Sequence, residues 1–248
     1  MLEITALYRR FPDQNLPAID NITFSVNRGE FIVISGANGS GKSVLMNLIA
    51  GLDTPTSGSV SLKEIDGKKV RVGLVFQDAD SQILGDTPEE DVSFGPRNLG
   101  IGKKECAEIG RRMLDRVGLA GKEKHPARTL SGGEKRRLAV AGVLAMDAEI
   151  IIFDEPFANL DWPGVVQVNT ILSQLKNSGK TLIILTHELE KVLALASRLI
   201  ILFQGKLVFD GLPDEALSSL SLPIWGIRNP LQTYSEKHDL LWKEEEQT

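Results

Sequence analysis

The chain is short of several residue types, and each shortage removes a class of explanation. Cysteine occurs once, at Cys106. A single thiol closes no intrachain disulfide and builds no cysteine zinc cluster, so a disulfide-stapled secreted scaffold is excluded. Histidine occurs three times, at His125, His187 and His238, with no metal-ligand spacing among them. Positive charge is not in surplus: 28 Lys and Arg stand against 33 Asp and Glu, a net charge of −5. Whole-chain attraction to nucleic acid is therefore not indicated. No apolar run approaches the roughly 18–20 uncharged residues that span a bilayer. The longest candidates, "EIIIFDEPF" and "TLIILTHE", are short and end in charge. The opening "MLEITALYRR" carries Glu3 and lacks the apolar core and small-residue cleavage site of a secretory signal. The expectation is a soluble, cytoplasmic chain that can dock on a membrane protein.

What is present is ordinary in bulk and informative in detail. The 248 residues, 42% hydrophobic and 25% charged, suit one large domain or two small ones with a substantial core. Short β-branched runs recur: "FIVIS", "VRVGLVF", "EIIIFDE", "KTLIILT" and "RLIILFQ". Most are continuous rather than alternating, as in parallel strands covered on both faces. Helical stretches lie between them, "KSVLMNLIAGL", "PGVVQVNTILSQLKNSG" and "ELEKVLALASR", the second stopping at a C′ glycine, Gly179. This order predicts α/β layering. "LEITALY", "NITFSV" and "GSVSL" alternate instead and predict a small antiparallel layer. Residues 85–146 carry almost no strand signal and read as an inserted helical unit, with Ile109, Met113, Leu114 and Val117 on one apolar face. Its punctuation at Gly85, Pro88, Gly95, Pro96, Gly100 and Gly102 marks expected hinge points. The division expected is a core of 1–84 and 147–211, the insert 85–146, and an extension 212–248 that packs as a short helix and extended piece before fraying at its charged end.

"GANGSGKS" follows the run "FIVIS" directly and matches G-x-x-x-x-G-K-[ST] at Gly36, Gly41, Lys42 and Ser43. A strand before it and an amphipathic helix after it are the context this phosphate cradle needs. Glycines here, Gly39 among them, let backbone N–H groups turn inward, and the helix start adds unpaired donors and a positive dipole end. Lys42 supplies a cation for phosphate and Ser43 a hydroxyl for Mg²⁺; Asn38 fits the tight turn. Asp154 ends the apolar strand of "EIIIFDEP", where it can hold Mg²⁺ through water. Glu155 follows, is expected on the other side of that strand, and can polarise an attacking water.

"LSGGEKRR", residues 130–137, is the signature sequence of ATP-binding-cassette (ABC) ATPases, and the chain resembles that family in further motifs in the family's order. "GANGSGKS" resembles Walker A, Gln77 in "VFQD" the Q-loop, "IIIFDEP" Walker B, "ANLD" the D-loop ending at Asp161, and His187 the switch histidine. The resemblance implies an α/β P-loop NTPase fold: a mainly parallel core sheet, an N-terminal antiparallel β layer and an inserted α-helical subdomain. It implies Mg-ATP hydrolysis with Glu155, His187 and Gln77 as the catalytic set. Ser43, Gln77 and Asp154 would hold the metal. Val44 stands where the family usually has a second hydroxyl residue, leaving its backbone donor, and Trp162 separates Asp161 from the proline that often follows it. An aromatic ring before Walker A stacks on adenine in this family; Phe11 is favoured over Tyr8, which sits in an alternating strand.

Ser131 and Glu134 also form a capping box, starting a helix whose first turn holds Gly132 and Gly133. Alone, an S-x-x-E is an ordinary capped helix. In this family such a signature faces Walker A of another copy, so the resemblance implies a head-to-tail dimer with ATP between subunits, the second copy identical or a paralogue. Within the family, "VFQDADSQILGDTPEEDVSFGPRNLGI" resembles the ATPases of energy-coupling-factor (ECF) transporters, which take up vitamins or cobalt and nickel. That resemblance implies a transmembrane scaffold partner, a separate substrate-capture membrane protein, and a peripheral place on the cytoplasmic face of the membrane. Asp78, Asp80 and Gln82 are expected to line an acidic groove for arginines of the scaffold. The alternatives are another ABC exporter or binding-protein-dependent importer, a non-transport repair or translation factor, and a non-enzymatic regulatory cassette.

Overall fold

The structure is a computed structural model and describes residues 1–64, 67, 69–219 and 222–231. The expected fraying of the charged end lies outside the described residues. In chain order the strands and helices are β1 (Leu2–Arg9), β2 (Ile19–Val26), β3 (Phe31–Ser35), α1 (Lys42–Ile49), β4 (Ser57–Leu62), β5 (Val72–Val75), α2 (Pro88–Asn98), α3 (Lys103–Arg116), α4 (Gly132–Ala145), β6 (Ile150–Asp154), α5 (Trp162–Asn177), β7 (Thr181–Leu185), β8 (Arg198–Phe203), β9 (Lys206–Gly211) and α6 (Pro213–Ser219).

Six strands form the central sheet in the order β5-β6-β7-β3-β8-β9, parallel throughout except for the β8–β9 pair. The continuous apolar runs explain its position. In β3, Phe31 and Val33 enter one buried cluster while Ile32 and Ile34 enter another. The same split recurs in β6 (Ile151 and Phe153 against Ile150 and Ile152) and in β7 and β8. With a side-chain period of two, a strand that is apolar at every position must feed two cores. One core is closed by the helices: Leu138 and Leu144 of α4 and Val165, Val168 and Leu172 of α5 belong to it. The other is closed by α1 and by the three-stranded antiparallel sheet, order β2-β1-β4, through Leu2, Ile4, Ile22 and Leu45. The sequence-expected antiparallel layer is this second sheet, and α2, α3 and α4 are indeed inserted between β5 and β6. The buried face of α3 is Cys106, Gly110 and Leu114, with Val117 at its C-cap; Ile109 and Met113 are only partly buried.

Two expectations are corrected, and one strand was not anticipated. "ELEKVLALASR" is not a helix but two 3₁₀ turns, Leu189–Lys191 and Leu193–Leu195, divided at Val192 with φ −141°. Side chains of α5 take carbonyls from this segment: Asn169 donates to Lys191 O at 2.8 Å and Lys176 to Leu195 O at 2.8 Å. Gly95 and Pro96 are not hinges; they lie inside α2, and a Cβ on Gly95 would meet Met146 Cγ at 2.3 Å, so this glycine admits close packing of α2 on the end of α4. Strand β9 has no counterpart in the sequence reading. Gln204 and Gly205, both with positive φ (50° and 78°), turn the chain back from β8 as a two-residue hairpin requires.

Candidate active site

The carboxyl ends of β3 and β6 and the start of α1 open onto a cleft. It is lined by Phe11, Asn38 to Val44, Gln77, Asp154, Glu155 and residues of the 14–18 turn. The loop from Gly36 to Gly41 is shaped by its glycines at specific points. Gly39 has φ 81° and Gly41 φ 104°, and a Cβ on Gly41 would lie 2.5 Å from Ala18 O. Gly36 is crowded for another reason: its missing Cβ would sit 2.3 Å from Leu202 O.

Helix α1 starts without a side-chain cap and without an acidic residue in its first turn. Its first recorded intrahelical bond runs from Leu45 N–H to Gly41 O at 2.9 Å. The N–H groups of Lys42, Ser43 and Val44 therefore face the cleft side of the helix end with the positive end of the dipole. By contrast, α2, α4 and α5 are capped by Thr87, Ser131 and Asp161. An uncapped helix end opening on a cleft is an anion site. Lys42 is buried, donating to Gly36 O at 2.6 Å and to Ala37 O at 3.3 Å, and its ammonium is 4.0 Å from Glu155 Oε1. Burial pushes the Lys42 pKa down, while Glu155 and Asp154 pull it up.

Asp154 is the last residue of β6, and its Oδ2 accepts from Ser43 Oγ at 3.4 Å. Burial, and then the charge of Glu155, raises its pKa. A partly buried carboxylate beside a hydroxyl, in need of positive charge, suits a divalent cation. Among the described residues no cluster of three His, Cys, Asp or Glu is close enough to hold a metal alone.

Glu155 reaches its place differently from the expectation. The strand has ended, and Glu155 adopts φ 43° while its N–H donates to Leu185 O at 2.8 Å. This left-handed turn, not strand alternation, swings the carboxylate toward β7. There Oε2 accepts from Thr186 Oγ1 at 2.9 Å and Oε1 lies 2.9 Å from His187 Nδ1. Thr186 is fully buried and was not singled out from sequence, where it reads as the last residue of the apolar run "TLIILT". Phe11 lies on the cleft wall, and the Arg9 guanidinium sits 4.6 Å from its ring centroid. Tyr8 is absent from the lining and pairs with Ser57 across β1 and β4.

The sequence profile of the family described as "ABC transporter" matches residues 19–158, more than half of the chain. This chain belongs to that family. A relative, "Energy-coupling factor transporter ATP-binding protein EcfA" of Methanocaldococcus jannaschii, is 39% identical over 232 residues, covering 89% of this chain and 82% of that protein. EcfA1 of Clostridium novyi is 39% identical over 224 residues, with 87% and 80% covered. Among solved structures, cbiO1 from Clostridium perfringens, described as part of the ABC transporter complex cbiONQ, superposes with a TM-score of 0.77 at 31% identity, covering 88% and 90%. A dimeric ATP-binding cassette in a post-hydrolysis state with ADP and phosphate gives 0.72 at 27%, covering 85% and 97%. The chain is an ABC-type ATPase with the expected mainly parallel P-loop fold.

The remaining motifs of the cassette lie outside this cleft. Ser131, Gly132, Gly133, Glu134 and Asp161 do not line it. Ser131 and Glu134 form the expected capping box: Ser131 Oγ accepts from Glu134 N at 3.3 Å and Glu134 Oε2 from Ser131 N at 2.8 Å. Glu134 is also held by the Lys122 ammonium, and this pairing first, then the Ser131 N–H, lowers its pKa to about 2. Asp161 caps α5, accepting from Gly164 N at 3.0 Å, and Trp162 after it is 80% exposed. The acidic groove expected from Asp78, Asp80 and Gln82 is corrected. Gln82 faces inward, accepting from Phe76 N and donating to Leu74 O, both at 2.9 Å. Asp80 pairs with Lys135, and the cleft it shares with Asp86 also presents Lys124 and Arg128, so its charge is mixed. Among the described residues, no helix is long and apolar enough to cross a membrane.

Proposed function

We propose that this chain is the ATP-hydrolysing subunit of an ECF-type importer for a vitamin or a transition-metal ion, peripheral on the cytoplasmic face of the membrane. The carrying observation is the convergence of Lys42, Ser43, Asp154 and Glu155 on the uncapped start of α1. The ECF branch is supported by relatives named as ECF ATP-binding proteins and by the 77–99 segment.

In this reading the adenine lies on Phe11 and the phosphates on the N–H groups of Gly39 to Val44, beside Asn38 and Ser40. Lys42 exchanges a loop carbonyl, Gly36 O, for phosphate oxygens. Ser43, Asp154 and Gln77 hold Mg²⁺, which neutralises phosphate charge when bound. The Glu155 carboxylate, fixed by Thr186 and His187, takes a proton from water as the water oxygen bonds to the γ-phosphorus. The bond from the γ-phosphorus to the bridging oxygen breaks, and ADP leaves with that electron pair. His187 faces the γ-phosphate and the attacking water. The signature residues Ser131, Gly132, Gly133 and Glu134, with Asp161, act on the nucleotide of a second ATPase subunit, identical or paralogous, across a head-to-tail interface. The core (1–84 and 147–211) and the helical insert (85–146) close on ATP, and the closure is passed to a transmembrane scaffold that works with a separate substrate-capture protein.

The test is Glu155→Gln. Hydrolysis is expected to fall by roughly 10²–10⁴-fold while ATP affinity is kept, the usual range for loss of a general base. ATP-stabilised dimers should then accumulate. Unaltered turnover overturns the assignment of Glu155. Co-purification from membranes decides the branch: a multi-helix scaffold supports it, and nucleic acid or ribosomes refute it.

A further inference from the structure

Arg136 lies on α4, five residues after Ser131, and is 9% exposed. Its partners among the described residues are main-chain carbonyls alone. Nη1 donates to Pro156 O at 2.6 Å, and Nη2 to Gln77 O at 3.1 Å and to Ala158 O at 3.4 Å. Those carbonyls belong to two segments that flank the chemistry. Gln77 lines the cleft, and Pro156 and Ala158 form the turn leaving Glu155, closed by Ala158 N–H to Glu155 O at 3.1 Å. A planar guanidinium reaches several carbonyls at fixed angles, which an ammonium cannot do. A buried cation without a carboxylate partner is costly to keep, so its geometry has a consequence elsewhere.

We propose that Arg136 is a positioning residue for ATP hydrolysis, joining the helix that begins at the signature to both the Gln77 peptide and the turn that orients Glu155. A helix displaced at its Ser131 end carries Arg136 with it. Gln77 and the Glu155 carboxylate then move as one unit with the helical insert. The proposal rests on the assignment of Glu155 above and adds a residue that does not line the cleft.

The test uses the full chain with Mg-ATP and the variants Arg136→Lys and Arg136→Met. Met keeps much of the volume and removes the buried charge, at a cost in stability for the carbonyls it leaves without a donor. A misplacement of about 1 Å can cost ~10²-fold in rate, so kcat is expected to fall at least about tenfold. KM and ATP affinity, measured below the melting temperature of each variant, should stay near those of the unmodified protein. Unchanged kcat overturns the proposal. So does a kcat loss matched by an equal loss of ATP affinity, which marks a purely structural residue. Hydrogen exchange on the unmodified protein decides the matter if neither variant folds. The amides of Gln82, Ile83, Ala158 and Leu160 should share one opening free energy, and separate values refute the coupling. If Glu155→Gln still hydrolyses ATP, the site assignment fails; if it does not, and Arg136→Met turns over normally, only the role of Arg136 fails.

Discussion

The two ends of α1 offer a controlled measurement of what the phosphate loop demands of its backbone. Gly41 precedes the helix with φ 104°, and Gly51 follows it with φ 70°. Both conformations are strained for an L-residue. Only Gly41 is also crowded: an added Cβ would meet Ala18 O at 2.5 Å and Ile19 Cδ1 at 3.0 Å, whereas Gly51 has nothing within 4 Å. Ala18 cannot retreat easily, because its N–H is bonded to Arg9 O at 2.8 Å at the start of the antiparallel layer. Gly51→Ala should therefore cost about 1–2 kcal/mol, the left-handed penalty alone. Gly41→Ala adds an overlap of about 1–3 kcal/mol, making about 2–5 kcal/mol in all. For a chain of this size that is about 2–8 °C of melting temperature against about 4–20 °C. Thermal unfolding without nucleotide, followed by ATP titration, separates the two. Gly51→Ala should bind ATP normally, and Gly41→Ala should lose affinity because the loop must shift away from Ala18. Equal melting temperatures and equal affinities for the two variants would refute the geometric account of the loop.

Three further outcomes follow from the site and its surroundings. Asp154→Asn should raise the Mg²⁺ concentration for half-maximal hydrolysis by on the order of tenfold, measured by titrating Mg²⁺ at fixed ATP; an unchanged midpoint removes Asp154 from the metal site. Lys122→Met should lower the melting temperature at neutral pH. Glu134 is depressed from 4.5 to about 2 in the folded chain, so its contribution is complete above pH 4.5 and lost as pH falls toward 2. The difference between Lys122→Met and the unmodified protein should shrink over that window, and a constant difference denies the pairing. Gln82→Ala strands Phe76 N–H and Leu74 C=O at the end of β5 and should cost about 1–3 kcal/mol of stability; an unaltered melting curve returns Gln82 to the surface role.

How much was legible in the sequence depended on how local the deciding interaction was. The capping box of Ser131 and Glu134 closes within three residues, and its partners could be named in advance. The Lys122 contact that holds the same carboxylate comes from a loop twelve residues away and left no pattern. "FIVIS" and "EIIIFD" announced buried parallel strands, because continuous apolar runs need cover on both faces. Which residue enters which core was hidden for the same reason. "ELEKVLALASR" has helical spacing, yet Asn169 and Lys176 bond carbonyls of that stretch and it settles into two short turns. Gln82 looked like a surface residue because glutamine usually is one; its two backbone partners lie at the end of β5. The expected position of Glu155 across the strand did not hold, since only a positive φ after Asp154 brings it to Thr186 and His187.

The two helix starts in this cassette solve opposite electrostatic problems. At α1 the donors are bare, no acid occupies the first turn, and the buried Lys42 adds positive charge. Such an end attracts an anion even in a lone subunit. At α4 the first turn holds Glu134, a negative charge where a phosphate would be repelled. Two contacts offset it. The carboxylate folds back onto Ser131 N–H, and Lys122 neutralises it. The Ser131 oxygen accepts from Glu134 N–H, which leaves the Ser131 hydroxyl hydrogen free to donate outward. In the proposed head-to-tail pair, the first end captures phosphate alone and the second contributes little until a nucleotide held by the partner subunit is presented to it. On that proposal binding and closure are separate events, with affinity for ATP assigned to α1 and the dependence of turnover on a second subunit assigned to the capped end of α4.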